Sequence, residues 1–124
     1  MMAAERVSGL AEGPVVHAEK LGKSFGRSVV VRDLTLTVTA GEAVVVFGPN
    51  GAGKSTTLRV FAGLTTPTVG SLRLFGDDRM GATVRRRIGM VAHQSFLYPD
   101  LTARENLLFY ARMYDLADAA DRVG

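Results

Sequence analysis

Ala43-Val44-Val45-Val46-Phe47-Gly48-Pro49-Asn50-Gly51-Ala52-Gly53-Lys54-Ser55-Thr56-Thr57-Leu58 is the stretch that decides the fold. Its first five residues are continuously apolar, the composition of a strand covered on both faces, as in a parallel sheet. The residues from Gly48 to Ser55 fit the pattern G-x-x-x-x-G-K-[ST]. Beyond them Leu58, Phe61 and Ala62 stand at helical spacing, with Gly63 placed to end the helix. Glycines admit backbone conformations that side chains forbid, so successive N–H groups can point inward at phosphate oxygens. A helix opening near Lys54 adds the positive end of its dipole to the same anion. On this pattern Lys54 is expected to reach the β- and γ-phosphates of a nucleoside triphosphate, and the Ser55 hydroxyl to take one position on Mg²⁺. At average residue frequencies a chain of this length matches the pattern by chance at roughly the one-per-cent level. The strand before the loop and the helix after it make coincidence rarer still.

Toward the N-terminus, residues 15–25 read as a strand ending in a turn at Gly26. Val29-Val30-Val31 leads into Leu34-Thr35-Leu36-Thr37-Val38-Thr39. The alternation puts Leu34, Leu36 and Val38 on one face and three threonines on the other, a half-buried strand of an antiparallel sheet. Ala40-Gly41-Glu42 is a turn, and residues 1–14 are expected to be a flexible lead-in. Toward the C-terminus, residues 65–68 read as loop, 71–75 as a short strand, Gly76-Asp77-Asp78 as a turn and 83–87 as a short helix. Ile88-Gly89-Met90-Val91-Ala92-His93 reads as a second buried strand. Thr102 and Glu105 have capping-box spacing, and Leu107, Ala111 and Tyr114 line one face of the helix that follows. Residues 116–124 begin another helix.

The 124 residues suffice for one modest domain and not two. With no cysteine, disulfides, thiolate metal sites and a cysteine nucleophile are excluded. The N-terminus has no apolar core of a secretory signal, and no stretch approaches the length of a membrane span. A cytoplasmic chain is therefore expected, reaching a membrane only through a partner. The net charge of +3 mildly favours anionic ligands. Arg85-Arg86-Arg87 reads as a solvated face, without the interleaved aromatics of a nucleic-acid surface, so no nucleic-acid partner is expected. His17 alternates with Val16 and Ala18 as a solvent-side strand residue, and His93 ends its strand.

The phosphate loop is shared by kinases, GTPases, motor ATPases and transport ATPases. Three further features, taken in order with it, make the chain resemble the ATP-binding subunit of an ABC transporter. Leu21-Gly22-Lys23-Ser24-Phe25-Gly26 is similar to that family's aromatic loop. Gly63-Leu64 followed by Pro67, Gly70 and Ser71 matches its exit from the helix after the loop. Gln94 closes an apolar strand where the family has its Q-loop glutamine, ahead of Leu101-Thr102-Ala103-Arg104-Glu105-Asn106-Leu107 at the entry to a helical subdomain. The resemblance covers nearly everything between Val15 and Leu116. It implies an α/β fold: a P-loop core with an antiparallel N-terminal subdomain, the start of a helical subdomain and an incomplete sheet. It implies Mg-ATP held by Phe25 on adenine and by Gly48, Pro49, Asn50, Gly51, Ala52, Gly53, Lys54, Ser55 and Thr56 around the phosphates. Ser55 and Gln94 would face the metal, with Gln94 as the catalytic sensor of the γ-phosphate. It also implies a transmembrane permease and a second ATP-binding subunit as partners, at the inner face of the cell membrane.

The family's signature motif, its Walker B aspartate with the catalytic glutamate, and its switch histidine are absent from these residues. Asp33, Asp100 and Asp115 offer no substitute acidic pair after an apolar strand. The chain is therefore expected to bind ATP without hydrolysing it, while a full-length protein would be an ATPase. The string from His93 to Thr102, with Leu108-Phe109-Tyr110-Ala111, looks similar to the haem-exporter ATP-binding subunit of cytochrome c maturation. The alternatives are a self-contained P-loop kinase or GTPase, which would need an acceptor site with lids or an N-K-x-D motif, and a non-catalytic nucleotide-binding adaptor.

Overall fold

A computed structural model of the chain describes residues 2–7, 13–93 and 96–123, in two compact units, Met1–Arg87 and Ile88–Gly124. The first unit is built on a hairpin. Strand β1 (Ala3–Val7) is followed by β2 (Pro14–Phe25) and β3 (Ser28–Thr39), which pair antiparallel and turn over Gly26, at φ +59°. β4 (Ala43–Phe47) leads through the glycine loop into α1 (Lys54–Phe61), and β5 (Val69–Leu74) returns along the free side of β2. The strand order β3-β2-β5 is antiparallel throughout. Ala18 and Leu21 of β2, Val31 of β3 and Val60 of α1 form its buried centre, with Val30, Leu34, Phe61 and Leu72 packed around them.

The alternation expected along β3 holds for Leu34 and Thr35, half-buried and exposed, but not beyond, where Leu36, Thr37, Val38 and Thr39 are all half-buried. Thr37 is drawn in by His17, whose Nδ1 lies 3.0 Å from the threonine hydroxyl. His17 is thus a half-buried hydrogen-bonding partner rather than a solvent-side residue. Arg87, read as part of a solvated run, lays its guanidinium 3.9 Å from the centre of the Phe75 ring.

Two expectations about apolar runs are corrected. β4 is a strand, but its partner is β1, antiparallel from Ala3↔Phe47 to Val7↔Ala43, and Val45 and Phe47 are about half exposed. Five residues of the segment expected to be a flexible lead-in therefore form an edge strand. Residues 88–93 form no strand, and Val91 is fully exposed. A strand exists only where a neighbour accepts and donates its backbone hydrogen bonds, and among the described residues none is provided there.

α1 ends as expected from Gly63, at φ +72°. Leu64 N donates to Arg59 O and Gly63 N to Val60 O, the paired bonds of a Schellman motif. Its inward face differs from the expectation: Thr57 and Val60 are buried, whereas Leu58 is about half exposed. A single turn, α2 (Ala82–Arg85), closes the first unit.

The second unit contains α3 (Ala103–Met113) and α4 (Ala119–Val123). Of the residues expected on the inner face of α3, Ala111 is buried and Tyr114 half-buried, its hydroxyl donating to Ile88 O at 3.2 Å, while Leu107 is exposed. The capping box is formed in both directions: Thr102 Oγ1 accepts from Glu105 N and Glu105 Oε2 accepts from Thr102 N. The bond from the Thr102 backbone, then the one from its side chain, hold the Glu105 carboxyl below its ordinary pKa. A depressed carboxylate stabilises the fold above its unfolded pKa, and that contribution is lost as the pH falls through the folded value. Thr102→Ala should cost the start of α3 about 1 kcal/mol, read as faster amide exchange at Glu105 and Asn106. It should also lessen, without removing, the acid-side loss of α3 helicity, since the bond from the Thr102 backbone to Glu105 Oε2 remains; an unchanged acid profile would show that the side-chain half of the box contributes nothing.

Candidate functional site

The glycine loop gains its shape from two left-handed residues, Gly51 at φ +85° and Gly53 at φ +90°. Ala52 N donates to Pro49 O at 3.1 Å, closing the turn between them. Gly53 is the N-cap of α1 and supplies no side chain to that helix end, and no acidic residue lies in its first turn. The N–H groups of a first helical turn have no intrahelical acceptor, so this end is chemically open to an anion. Thr57 secures the loop from behind. It is buried, and both its N–H and its hydroxyl donate to Gly53 O, at 2.9 and 2.8 Å.

Lys54 folds its ammonium back over the loop, donating to Gly48 O and, at 2.9 Å, to Pro49 O. A phosphate oxygen would offer the ammonium a stronger, charge-assisted bond than those neutral carbonyls. Ser55 is exposed and Thr56 half-buried at the same helix end. The loop has room only because Gly53 lacks a side chain: a Cβ there would stand 2.5 Å from Val30 O of β3. The open helix end, the lysine and this close backbone approach fit a triphosphate.

Phe25 closes β2 and is 54% exposed, enough to offer a ring face to a planar ligand. Lys23, two residues earlier, pairs with Val31 of β3, next to the Val30 carbonyl on which Gly53 packs. One pair of strands thus carries both the aromatic residue and the backing of the phosphate loop.

The family model described as ABC transporter matches residues 31–124, three quarters of the chain. The chain belongs to the ABC transporter family. Among similar ABC proteins, the Nod factor export ATP-binding protein I of Paraburkholderia xenovorans (strain LB400) is 40% identical over 109 residues, covering 86% of this chain and 36% of that protein. The linearmycin resistance ATP-binding protein LnrL of Bacillus subtilis (strain 168) is 36% identical over 104 residues, covering 82% of this chain and 33% of that protein. The chain thus spans about a third of the length of these relatives. A solved ATP-binding subunit of an ABC transporter superimposes with a TM-score of 0.70 at 28% identity, covering 85% of this chain and 45% of the other. An ATP-binding cassette solved as a dimer in a post-hydrolysis state, bound to ADP and Pi, gives 0.69 at 25% identity, over 87% and 53%. The fold is therefore the α/β P-loop architecture of ABC ATP-binding domains, over less than their full extent.

Within this ABC chain, Phe25 and residues 48–56 all lie in the first unit. Gln94 lies outside the described residues. His93, next to it, is exposed, and among the described residues no group of three or more His, Cys, Asp or Glu side chains is arranged to hold a metal ion. Three residues that sequence reasoning passed over carry the geometry: Thr57 behind the loop, Val30 against Gly53, and Lys23 beside Phe25. Thr57 stood in the quoted string but carried no signal of burial. Val30 depends on which strands pair, and Lys23, though quoted beside Phe25, on where the loop after α1 lies.

Proposed function

We propose that this chain is the nucleotide-holding portion of the ATP-binding subunit of an ABC transporter. The observation that carries the reading is the open N-terminal end of α1, framed by Gly51 and Gly53 and overhung by the Lys54 ammonium. Lys54 would leave its loop carbonyls for the β- and γ-phosphates, and the N–H groups of residues 51–56 would wrap the same oxygens. Ser55 would hold Mg²⁺ through its hydroxyl, joined by Gln94, and Phe25 would stack on adenine. Mg-ATP, when bound, supplies the phosphoanhydride whose binding and cleavage drive such transporters.

Each of these residues is given a binding or orienting role, and none the activation of a water. This chain alone is therefore proposed to bind ATP without turnover, the remaining parts belonging to a longer ATPase. The proposed partners are a transmembrane permease and a second ATP-binding subunit. Among the described residues no helix is long and apolar enough to cross a membrane, so the proposed place at the inner membrane face depends on the permease. The relatives named for Nod factor export favour export as the direction. The more specific expectation of haem export for cytochrome c assembly finds no support in them and is set aside.

Calorimetric titration of the full chain with Mg-ATP tests the reading. Lys54→Ala should weaken binding about 10- to 100-fold, the value of hydrogen bonds to a charged partner. Undiminished affinity in that variant would sink the assignment.

A further inference from the structure

Lys23 and Phe25 sit two residues apart at the end of β2, where the pairing with β3 shifts register between Lys23 and Ser24. The Lys23 ammonium lies 5.0 Å from the centroid of the Phe25 ring. The same nitrogen donates a 2.7 Å hydrogen bond to Thr66 O, in the loop that leaves α1. That loop is fastened to β2 by its neighbours as well. Thr68 N donates to Gly22 O at 2.8 Å, and Ser24 N donates to Thr68 Oγ1 at 3.0 Å. The carbonyl therefore presents a fixed point, and a lysine held between it and the ring loses the freedom of an ordinary surface side chain.

An exposed phenylalanine at a strand end must be ordered before it can stack on a ligand, and that ordering weakens binding. A cation over one face orders the ring in advance and leaves the other face for a second π-system. We propose that Lys23 is a positioning residue for the nucleobase, clamping Phe25 between β2 and the 66–68 loop so that the ring is poised for a purine. The proposal rests on the reading of Phe25 as the base platform. It assigns Lys23 no contact with phosphate, which separates it from Lys54.

The test compares Mg-ATP with Mg-tripolyphosphate, which has the phosphates and no base, by calorimetry on the full chain. Lys23→Met should weaken ATP about two- to fivefold, the range of an exposed cation–π contact. Tripolyphosphate affinity should stay at the wild-type value, which also shows that the variant is folded. Lys23→Arg should restore ATP affinity, and Lys23→Met added to Phe25→Ala should produce no further loss. Wild-type ATP affinity in Lys23→Met, a parallel fall in tripolyphosphate affinity, or failure of arginine to rescue would each overturn the proposal. If the wild type binds ATP no more tightly than tripolyphosphate, the reading of Phe25 falls and Lys23 with it. If it binds neither, the phosphate site itself falls.

Discussion

Gly53→Ala is expected to abolish detectable triphosphate binding and to destabilise the first unit by about 3 kcal/mol, the combined cost of left-handed strain and overpacking. Gly53 sits at φ +90°, where an L-residue with a Cβ is strained by roughly 1–2 kcal/mol. The added Cβ would also stand 2.5 Å from Val30 O and 3.3 Å from Val31 Cγ2. Neither neighbour yields easily: Val30 O is backbone of a strand paired to β2, and Val31 belongs to the buried centre. Relief must come from the loop moving outward, which pulls Gly53 O away from Thr57 and the N–H groups away from the phosphates. Gly51→Ala is the internal comparison. It shares the positive φ, at +85°, but its Cβ meets nothing within 4 Å, so its cost is the conformational strain alone. Thermal melts and calorimetry on the two variants separate strain from collision. Equal behaviour of the two would show that the Val30 contact is unimportant.

Asn106→Leu should be the most damaging substitution in the second unit, by roughly 2–4 kcal/mol for the polar groups it strands. Asn106 is only 3% exposed, an amide buried on the first turn of α3. Its Oδ1 accepts from Tyr98 N at 2.8 Å, and its Nδ2 donates to Tyr98 O, Leu101 O and Thr102 O at 3.0 to 3.2 Å. One side chain therefore satisfies both backbone groups of Tyr98 and staples the turn ahead of the helix. Leucine has the same branching, a somewhat larger volume and none of these bonds, so the loss is polar, with some overpacking, rather than a cavity. Amide exchange at Tyr98 reads it directly. Asn106→Asp keeps the acceptor but turns a negative oxygen toward three carbonyls, and should fare no better than leucine. Protection of the Tyr98 amide unchanged in both variants would show that the staple is dispensable.

Asn106 also marks where sequence reading stops. The quoted Thr102-Ala103-Arg104-Glu105-Asn106 announced a helix start through the spacing of threonine and glutamate. The capping box could be read because its bonds join residues three apart. The same holds for the turn at Gly26 and for the Gly63 stop of α1, where a glycine at positive φ closes bonds to residues three and five back. The phosphate loop was legible because its spacing is itself the constraint. Nothing in an asparagine at position 106 distinguishes a buried staple from a surface amide, since its partners are carbonyls of a loop whose path is set by packing.

The sequence by itself determined the order of strand, glycine loop and helix, the turn at Gly26 between β2 and β3, and the caps of α1 and α3. Each rests on hydrogen bonds or conformations spanning a few neighbouring residues. Only the tertiary structure decided the partners of the apolar runs: β4 against β1, antiparallel and half exposed, and residues 88–93 with no strand. It also decided the approach of Gly53 to Val30 and the bridge from Lys23 to Thr66 and Phe25. A β-strand is completed by another strand's backbone, and an apolar run specifies that it should be covered without specifying by what. Contacts across tens of residues follow from that choice of neighbour.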